Sequence, residues 1–294
     1  MIPAVAIRPA VPTVAALRRR AEEDLSRAGV PSPRADAAAL MAYACGWDAA
    51  DIAKHVRDVV PVGEAETLAR CVRRRAGREP LQLITASAPF LDLRLSVAPG
   101  VFIPRPETEG LALRADGLPG TNANPVVIDL FAGVGPLAVY LATRRPEGRV
   151  IAVEADRSAA ALLVDNAAAH GARVDVICGD VRDDGLMSRL PPADLIIANP
   201  PYIRTAEIPA LPPEVRDYEP PAALDGGPDG LAYYPLVADL AARLLKAAGA
   251  VAAEIGEGMA REVRETFARV GDAHVARDLA GRERYVWALK PGGD

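Results

Sequence analysis

The chain has 294 residues, half hydrophobic and a quarter charged, with a net charge of −5; its length suggests two domains and its composition an ordinary globular protein. No apolar run of about 18 residues is available to span a membrane, and Met1–Ala10 lacks the basic start and apolar core of a secretory leader. Three scattered cysteines (Cys45, Cys71, Cys178) and three separated histidines (His55, His170, His274) make neither a disulfide framework nor a metal motif, so no metal is expected and a reducing cytoplasm fits.

Residues 1–80 carry 13 Lys+Arg against 10 Asp+Glu, net +3, while the remainder carries 21 against 29, net −8. The first stretch reads as helices throughout. Thr13 can cap a helix with Leu17, Ala21, Leu25 and Ala28 on one face, ended by Gly29. Ser32-Pro33 starts a second helix, Asp48 a short third, and Pro61–Ala76 forms a fourth. The Arg18-Arg19-Arg20 and Arg73-Arg74-Arg75 runs are expected to be solvated helix faces. A net charge of +3 is too weak for general nucleic-acid binding, which needs a strong basic stripe.

The pattern changes at Glu79-Pro80. Phe90–Val97 alternates with Asp92, Arg94 and Ser96 on the wet face, which predicts a strand. Pro99-Gly100 turns the chain, and Val101–Ile103 is expected to return as the second strand of a hairpin. Pro104-Arg105-Pro106 stops it, and a helix starts at Glu107.

From Val126 strands and helices alternate: strands at 126–130, 149–154, 173–178, 194–198, 250–255, 274–279 and 284–289, helices near 136–145, 158–170, 231–248 and 258–270. This predicts an α/β domain with a mostly parallel sheet covered on both faces, and ligands outside the carboxyl ends of its strands. The strand ends carry the chemistry. The first runs into Phe131-Ala132-Gly133-Val134-Gly135-Pro136, where two glycines permit a tight turn and close backbone approach. The second ends in Glu154, placed to accept hydrogen bonds from ribose hydroxyls. The third ends in Asp180-Val181 and the fourth in Asn199-Pro200-Pro201-Tyr202. No Lys-Ser/Thr follows the glycine loop, so it is not a P-loop. In the fourth, two prolines stiffen the backbone. The Asn199 side chain and the Pro200 carbonyl can then hold the two hydrogens of a planar –NH2 group, with Tyr202 against its flat face.

Asn199–Tyr202, taken with Pro99-Gly100-Val101-Phe102-Ile103-Pro104-Arg105-Pro106-Glu107-Thr108-Glu109, resembles the HemK/PrmC family. Glu79-Pro80-Leu81-Gln82, Gly226-Gly227-Pro228-Asp229-Gly230 and Asp278–Arg284 extend the likeness over nearly the whole chain. The resemblance implies a class I S-adenosylmethionine-dependent methyltransferase domain (Rossmann-like) over 110–294, a β-hairpin linker over 79–109 and an N-terminal helical substrate-docking domain over 1–78. It implies methyl transfer from S-adenosylmethionine to the side-chain amide nitrogen (N5) of the glutamine in the Gly-Gly-Gln loop of class I peptide chain release factors. Residues Phe131–Gly135, Glu154, Asp180, Val181 and Asn199 are then expected at the cofactor. Phe102, Asn199, Pro200, Pro201 and Tyr202 are expected at the acceptor, with Asn199, Pro200 and Tyr202 catalytic. The family's cofactor loop usually reads Asp-Leu-Gly-Thr-Gly-Ser-Gly; here Phe131-Ala132 stands in place of Gly-Thr, so Phe131 is expected to reshape the methionine end of the pocket. Three other readings stay open on the residues alone: a relative methylating another amide or amine, a nucleic-acid amino-methyltransferase, and a non-catalytic cofactor-binding module. The acidic main domain disfavours nucleic acid, because phosphate neutralisation drives such binding.

Overall fold

The computed structural model describes residues 12–48, 50–118 and 124–292; the expectation about Met1–Ala10 lies outside them. The chain divides into two compact units, Met1–Thr85 and Ala86–Asp294, and the division falls inside the segment expected as a linker. No helix among the described residues is long and apolar enough to cross a membrane.

The first unit is helical: α1 (Val14–Arg27), α2 (Pro33–Cys45), α3 (Asp51–Lys54), α4 (Val62–Ala76) and α5 (Leu81–Thr85). Thr13 caps α1, its hydroxyl accepting from the Ala16 amide at 3.3 Å. Pro33 occupies the first turn of α2, where no amide donor is required. Val14, Leu25, Leu40, Met41, Leu68 and Ile84 share one core. One expectation fails here: Arg75 is not on a solvated face. It follows Cys71 by four and Val72 by three, so helical periodicity turns it to their buried side. There its Nε donates to Asp36 Oδ2 at 2.7 Å, and both residues are buried.

The second unit opens with a hairpin, but not the expected one. Phe90–Val97 is broken by a turn at Leu91-Asp92, with Leu91 in the left-handed region at φ 51°. The strands are β1 (Ser87–Phe90) and β2 (Leu93–Ser96), paired antiparallel. Val101–Ile103 forms no strand; Val101 and Ile103 are apolar because they are buried. The alternation itself was meaningful, since Asp92, Arg94 and Ser96 do face solvent.

After α6 (Pro106–Asp116) come β3 (Val126–Leu130), α7 (Pro136–Arg144), β4 (Arg149–Glu154), α8 (Arg157–Ala169), β5 (Val174–Cys178), α9 (Asp184–Met187) and β6 (Ala193–Ala198). The segment after β6 holds two short 3-10 turns, Thr205–Ala210 and Pro221–Ala223, around α10 (Pro213–Arg216). Then follow α11 (Tyr234–Leu244), β7 (Leu245–Glu254), α12 (Ala260–Phe267), β8 (Asp272–Arg277) and β9 (Glu283–Leu289). The helix expected over 231–248 stops earlier, because the chain from Leu245 pairs with β6 (Ala193 opposite Leu245) and tertiary pairing overrides the alanine-rich propensity.

The seven strands lie in the order β5-β4-β3-β6-β7-β9-β8. Strands β3 to β7 run parallel, and β9 is antiparallel to both its neighbours. Every residue of β6 is buried, as a strand covered on both faces requires. One face packs Ile128, Leu130 and Ile196 with Tyr234, Val237 and Phe267; the other packs Val127, Leu195 and Ile197 with Leu111, Leu141 and Leu163. The chain winds outward from β3 through β4 to β5, then returns to β6. This reversal opens a crevice at the carboxyl ends of β3 and β6.

Candidate active site

A cavity of about 340 Å³ occupies that crevice. Of the residues singled out in the sequence, Phe102, Phe131, Gly133, Glu154, Asp180, Val181, Asn199, Pro200, Pro201 and Tyr202 line it. Ala132, Val134 and Gly135 do not; they are buried in the turn behind it.

On the β4–β5 side the two carboxylates are set by bonds to residues 2 to 21 positions away. Glu154 accepts from the Gly133 amide through Oε2 and from the Asp156 amide through Oε1, each at 2.7 Å. Burial pushes its carboxyl above the ordinary value, while those amides pull the other way. Asp180 accepts the forked guanidinium of Arg182, with Nη2 to Oδ2 at 2.6 Å, and this pairing holds its carboxyl below the ordinary value. Gly135, at φ 91°, cannot cap α7 with a side chain. Buried Asp129 supplies the missing acceptor: the Ala138 amide donates to its Oδ2 at 3.0 Å. Asn166, also buried, donates to the Val134 carbonyl at 2.9 Å and exchanges bonds with the Ser96 backbone, tying the glycine loop to β2.

Phe131 adopts φ 63°, the left-handed region that costs a side-chain-bearing residue about 1–2 kcal/mol. Its ring lines the cavity and meets Tyr233 edge-on, with centroids 5.1 Å apart. The departure from the family's glycine therefore adds an aromatic wall at a backbone position suited to glycine.

On the β6–β7 side the bonds reach far along the chain. Asn199 Nδ2 donates to Thr108 Oγ1 at 3.0 Å, and the Thr108 hydroxyl donates to Glu254 Oε2 at 2.7 Å. The Tyr202 hydroxyl donates to Glu254 Oε1 at 3.1 Å, and the Tyr234 hydroxyl to the Glu254 carbonyl at 3.0 Å. Glu254 is wholly buried, which raises its carboxyl; the Thr108 bond, the nearby Arg284 charge and the Tyr202 bond oppose that rise. Burial also pushes the Tyr202 phenol far above its ordinary value, so it stays a neutral donor.

The Asn199–Tyr202 loop is held from behind. Ile203 exchanges backbone bonds with Leu224 and Gly226 at 2.9 and 2.8 Å. A Cβ on Gly226 would meet Tyr202 Cα at 2.7 Å and the Pro201 carbonyl oxygen at 2.8 Å, which is why this position has no side chain. Arg105, which also lines the cavity, sits 4.8 Å from the Phe102 ring centroid and pairs with buried Glu219.

Thr108, Glu254, Arg105 and Glu219 were not singled out as site residues. Thr108 and Arg105 lay in view within the Pro-Arg-Pro-Glu-Thr-Glu segment. Glu254 had a plain signal: it ends a parallel strand, as Glu154 does. Glu219 had none beyond an acidic residue in a proline-rich loop.

The cavity can take S-adenosylmethionine. Its volume lies within the range of ligand pockets. Glu154 and Asp180 present carboxylates at adjacent strand ends, Val181 gives an apolar surface, and the space where a Gly133 Cβ would stand is open. A solved methyltransferase from Pyrococcus furiosus shares the fold with a TM-score of 0.51, covering 77% of this chain and 99% of that one at 15% identity. Together with the family model that matches residues 92–210, this makes the second unit a class I S-adenosylmethionine-dependent methyltransferase domain. Family models described as PrmC N-terminal domain and Methyltransferase small domain match residues 16–85 and 92–210. The release factor glutamine methyltransferase of Mycolicibacterium smegmatis is 42% identical over 272 residues (90% of this chain, 94% of the relative). That of Geobacter sulfurreducens is 40% identical over 267 residues (89% and 91%). The chain belongs to the release factor glutamine methyltransferase family.

Proposed function

We propose that this enzyme methylates the N5 side-chain amide of the glutamine in the Gly-Gly-Gln loop of class I peptide chain release factors, in the cytoplasm, with its helical unit docking the protein substrate. The single observation that carries this is the arrangement of the cavity: Glu154, Asp180 and Val181 line it over β4 and β5, and Asn199-Pro200-Pro201-Tyr202 lines it over β6.

Bound S-adenosylmethionine supplies an electrophilic methyl group on a positively charged sulfonium. Glu154 would hold the ribose hydroxyls, Asp180 and Val181 would border the adenine, and Phe131 and Gly133, which line the cavity, would lie against the amino-acid part. An amide nitrogen is a poor nucleophile because its lone pair is delocalised. Asn199 Oδ1 and the Pro200 carbonyl accept its two hydrogens, favour electron density on nitrogen and fix its direction. The cofactor would supply the methyl for a new N–CH3 bond, the electron pair of the broken S–CH3 bond staying on sulfur and one amide proton passing to solvent. Rate enhancement in such a site comes from orientation and electrostatic stabilisation.

The test offers methyl-labelled S-adenosylmethionine with a class I release factor, with the same factor carrying Gln→Ala in its Gly-Gly-Gln loop, and with transfer RNA. Label on the unaltered factor alone is expected. Label on RNA, or on the altered factor to the same extent, would sink the reading.

A further inference from the structure

An asparagine can point either end of its side-chain amide at a substrate, and the two ends are nearly the same shape. Only one serves here. With Oδ1 toward the acceptor it meets an N–H; with Nδ2 toward the acceptor, donor faces donor and a polar group is left unpaired, which is costly in a dry site. We propose that Glu254, acting through the Thr108 hydroxyl, is a positioning residue that fixes which end of Asn199 faces the methyl acceptor. This rests on the function proposed above.

The geometry carries the inference. Glu254 takes a hydroxyl on each oxygen, Thr108 at 2.7 Å and Tyr202 at 3.1 Å. A threonine hydroxyl has one proton to give. Once that proton is committed to the carboxylate, the Thr108 oxygen can only accept from its third neighbour. Of the two ends of Asn199 only the –NH2 can donate, and Nδ2 lies 3.0 Å away. The donor order therefore runs from Asn199 to Thr108 to Glu254 and leaves Oδ1 for the substrate. Thr108 is 1% exposed and Glu254 0% exposed, so water does not compete for these bonds. The same carboxylate also anchors Tyr202, so one buried group sets both ends of the Asn-Pro-Pro-Tyr loop.

A purely structural role is separable by experiment. Thr108→Val keeps the shape of the side chain and removes the hydroxyl. Thr108→Ser keeps the hydroxyl and removes the methyl. Glu254→Gln turns one of the two acceptor oxygens into a donor, so the side chain can no longer accept from Thr108 and from Tyr202 at once. The readouts are kcat for labelled methyl transfer to the release factor and the dissociation constant for S-adenosylmethionine, measured on the full chain. Thr108→Val and Glu254→Gln are expected to lower kcat on the order of 100-fold with cofactor affinity unchanged, and Thr108→Ser to retain most of the wild-type rate. Wild-type kcat in Thr108→Val overturns the inference. So does equal loss of rate and of cofactor binding in both Thr108→Val and Thr108→Ser, which would make Thr108 a packing residue. A wild-type protein that labels no release factor overturns the functional reading and this inference with it; an active wild type with Thr108→Val at the wild-type rate overturns only this one.

Discussion

The two sides of the cleft are built differently. Over β4 and β5 the key carboxylates are held by near neighbours: Glu154 by amides 2 and 21 residues away, and Asp180 by a residue 2 away. Over β6 and β7 the links span 91 residues from Thr108 to Asn199, 146 from Thr108 to Glu254 and 114 from Arg105 to Glu219. The cofactor side thus holds its two carboxylates by turns at strand ends, with Asn166 tying the glycine loop to β2 across 70 residues. The acceptor side is a tertiary assembly in which the segment before α6, the loop after β6 and the end of β7 must all arrive together. Cofactor binding and amide holding are expected to be separable by mutation, and damage to distant parts of the fold to fall mainly on the acceptor side.

The largest expected effect is Asn199→Ala, which removes an amide acceptor outright. Turnover is expected to fall about 100-fold to 1,000-fold, with cofactor binding largely retained in calorimetric titration. Gly226→Ala strikes the same side from behind. Its new Cβ would stand 2.7 Å from Tyr202 Cα, so the loop must shift. A drop in turnover on the order of 100-fold is expected, with a stability loss of about 1–3 kcal/mol read from chemical denaturation.

On the cofactor side, Glu154→Ala is expected to weaken S-adenosylmethionine binding about 10-fold to 100-fold, the cost of losing charged hydrogen bonds. The smallest effect belongs to Phe131→Gly. Relief of left-handed strain, about 1–2 kcal/mol, is offset by the greater chain freedom of glycine, about 0.5–1 kcal/mol, and by loss of the Tyr233 contact, about 0.5–1.5 kcal/mol. Thermal unfolding should therefore move little, while cofactor affinity drops less than about 10-fold as one wall is removed.

This contrast also explains what could be read in the sequence. Strand-end motifs are local, so Gly133, Glu154, Asp180 and Asn199–Tyr202 were visible as short patterns, and the structure brings them to one cavity. The parallel sheet was legible because buried strands alternate with helices. The hairpin was misplaced because Leu91 takes a left-handed turn that no glycine, asparagine or proline announced. Arg75 looked solvated as part of an arginine run, and only its helical phase and the distant Asp36 make it a buried partner. Glu254 was visible as a strand-end acid, as Glu154 was, but what it does there was not. Its role depends on Thr108, which no spacing rule connects to it.

The separability of the two sides is tested most directly by single-turnover methyl transfer to a release factor at saturating S-adenosylmethionine, comparing Glu154→Ala with Asn199→Ala. Saturation should restore Glu154→Ala to near the wild-type rate, because its defect is in binding, and should leave Asn199→Ala about 100-fold or more below it. Recovery of both variants, or of neither, would contradict the division of the cleft into a cofactor side and an amide-holding side.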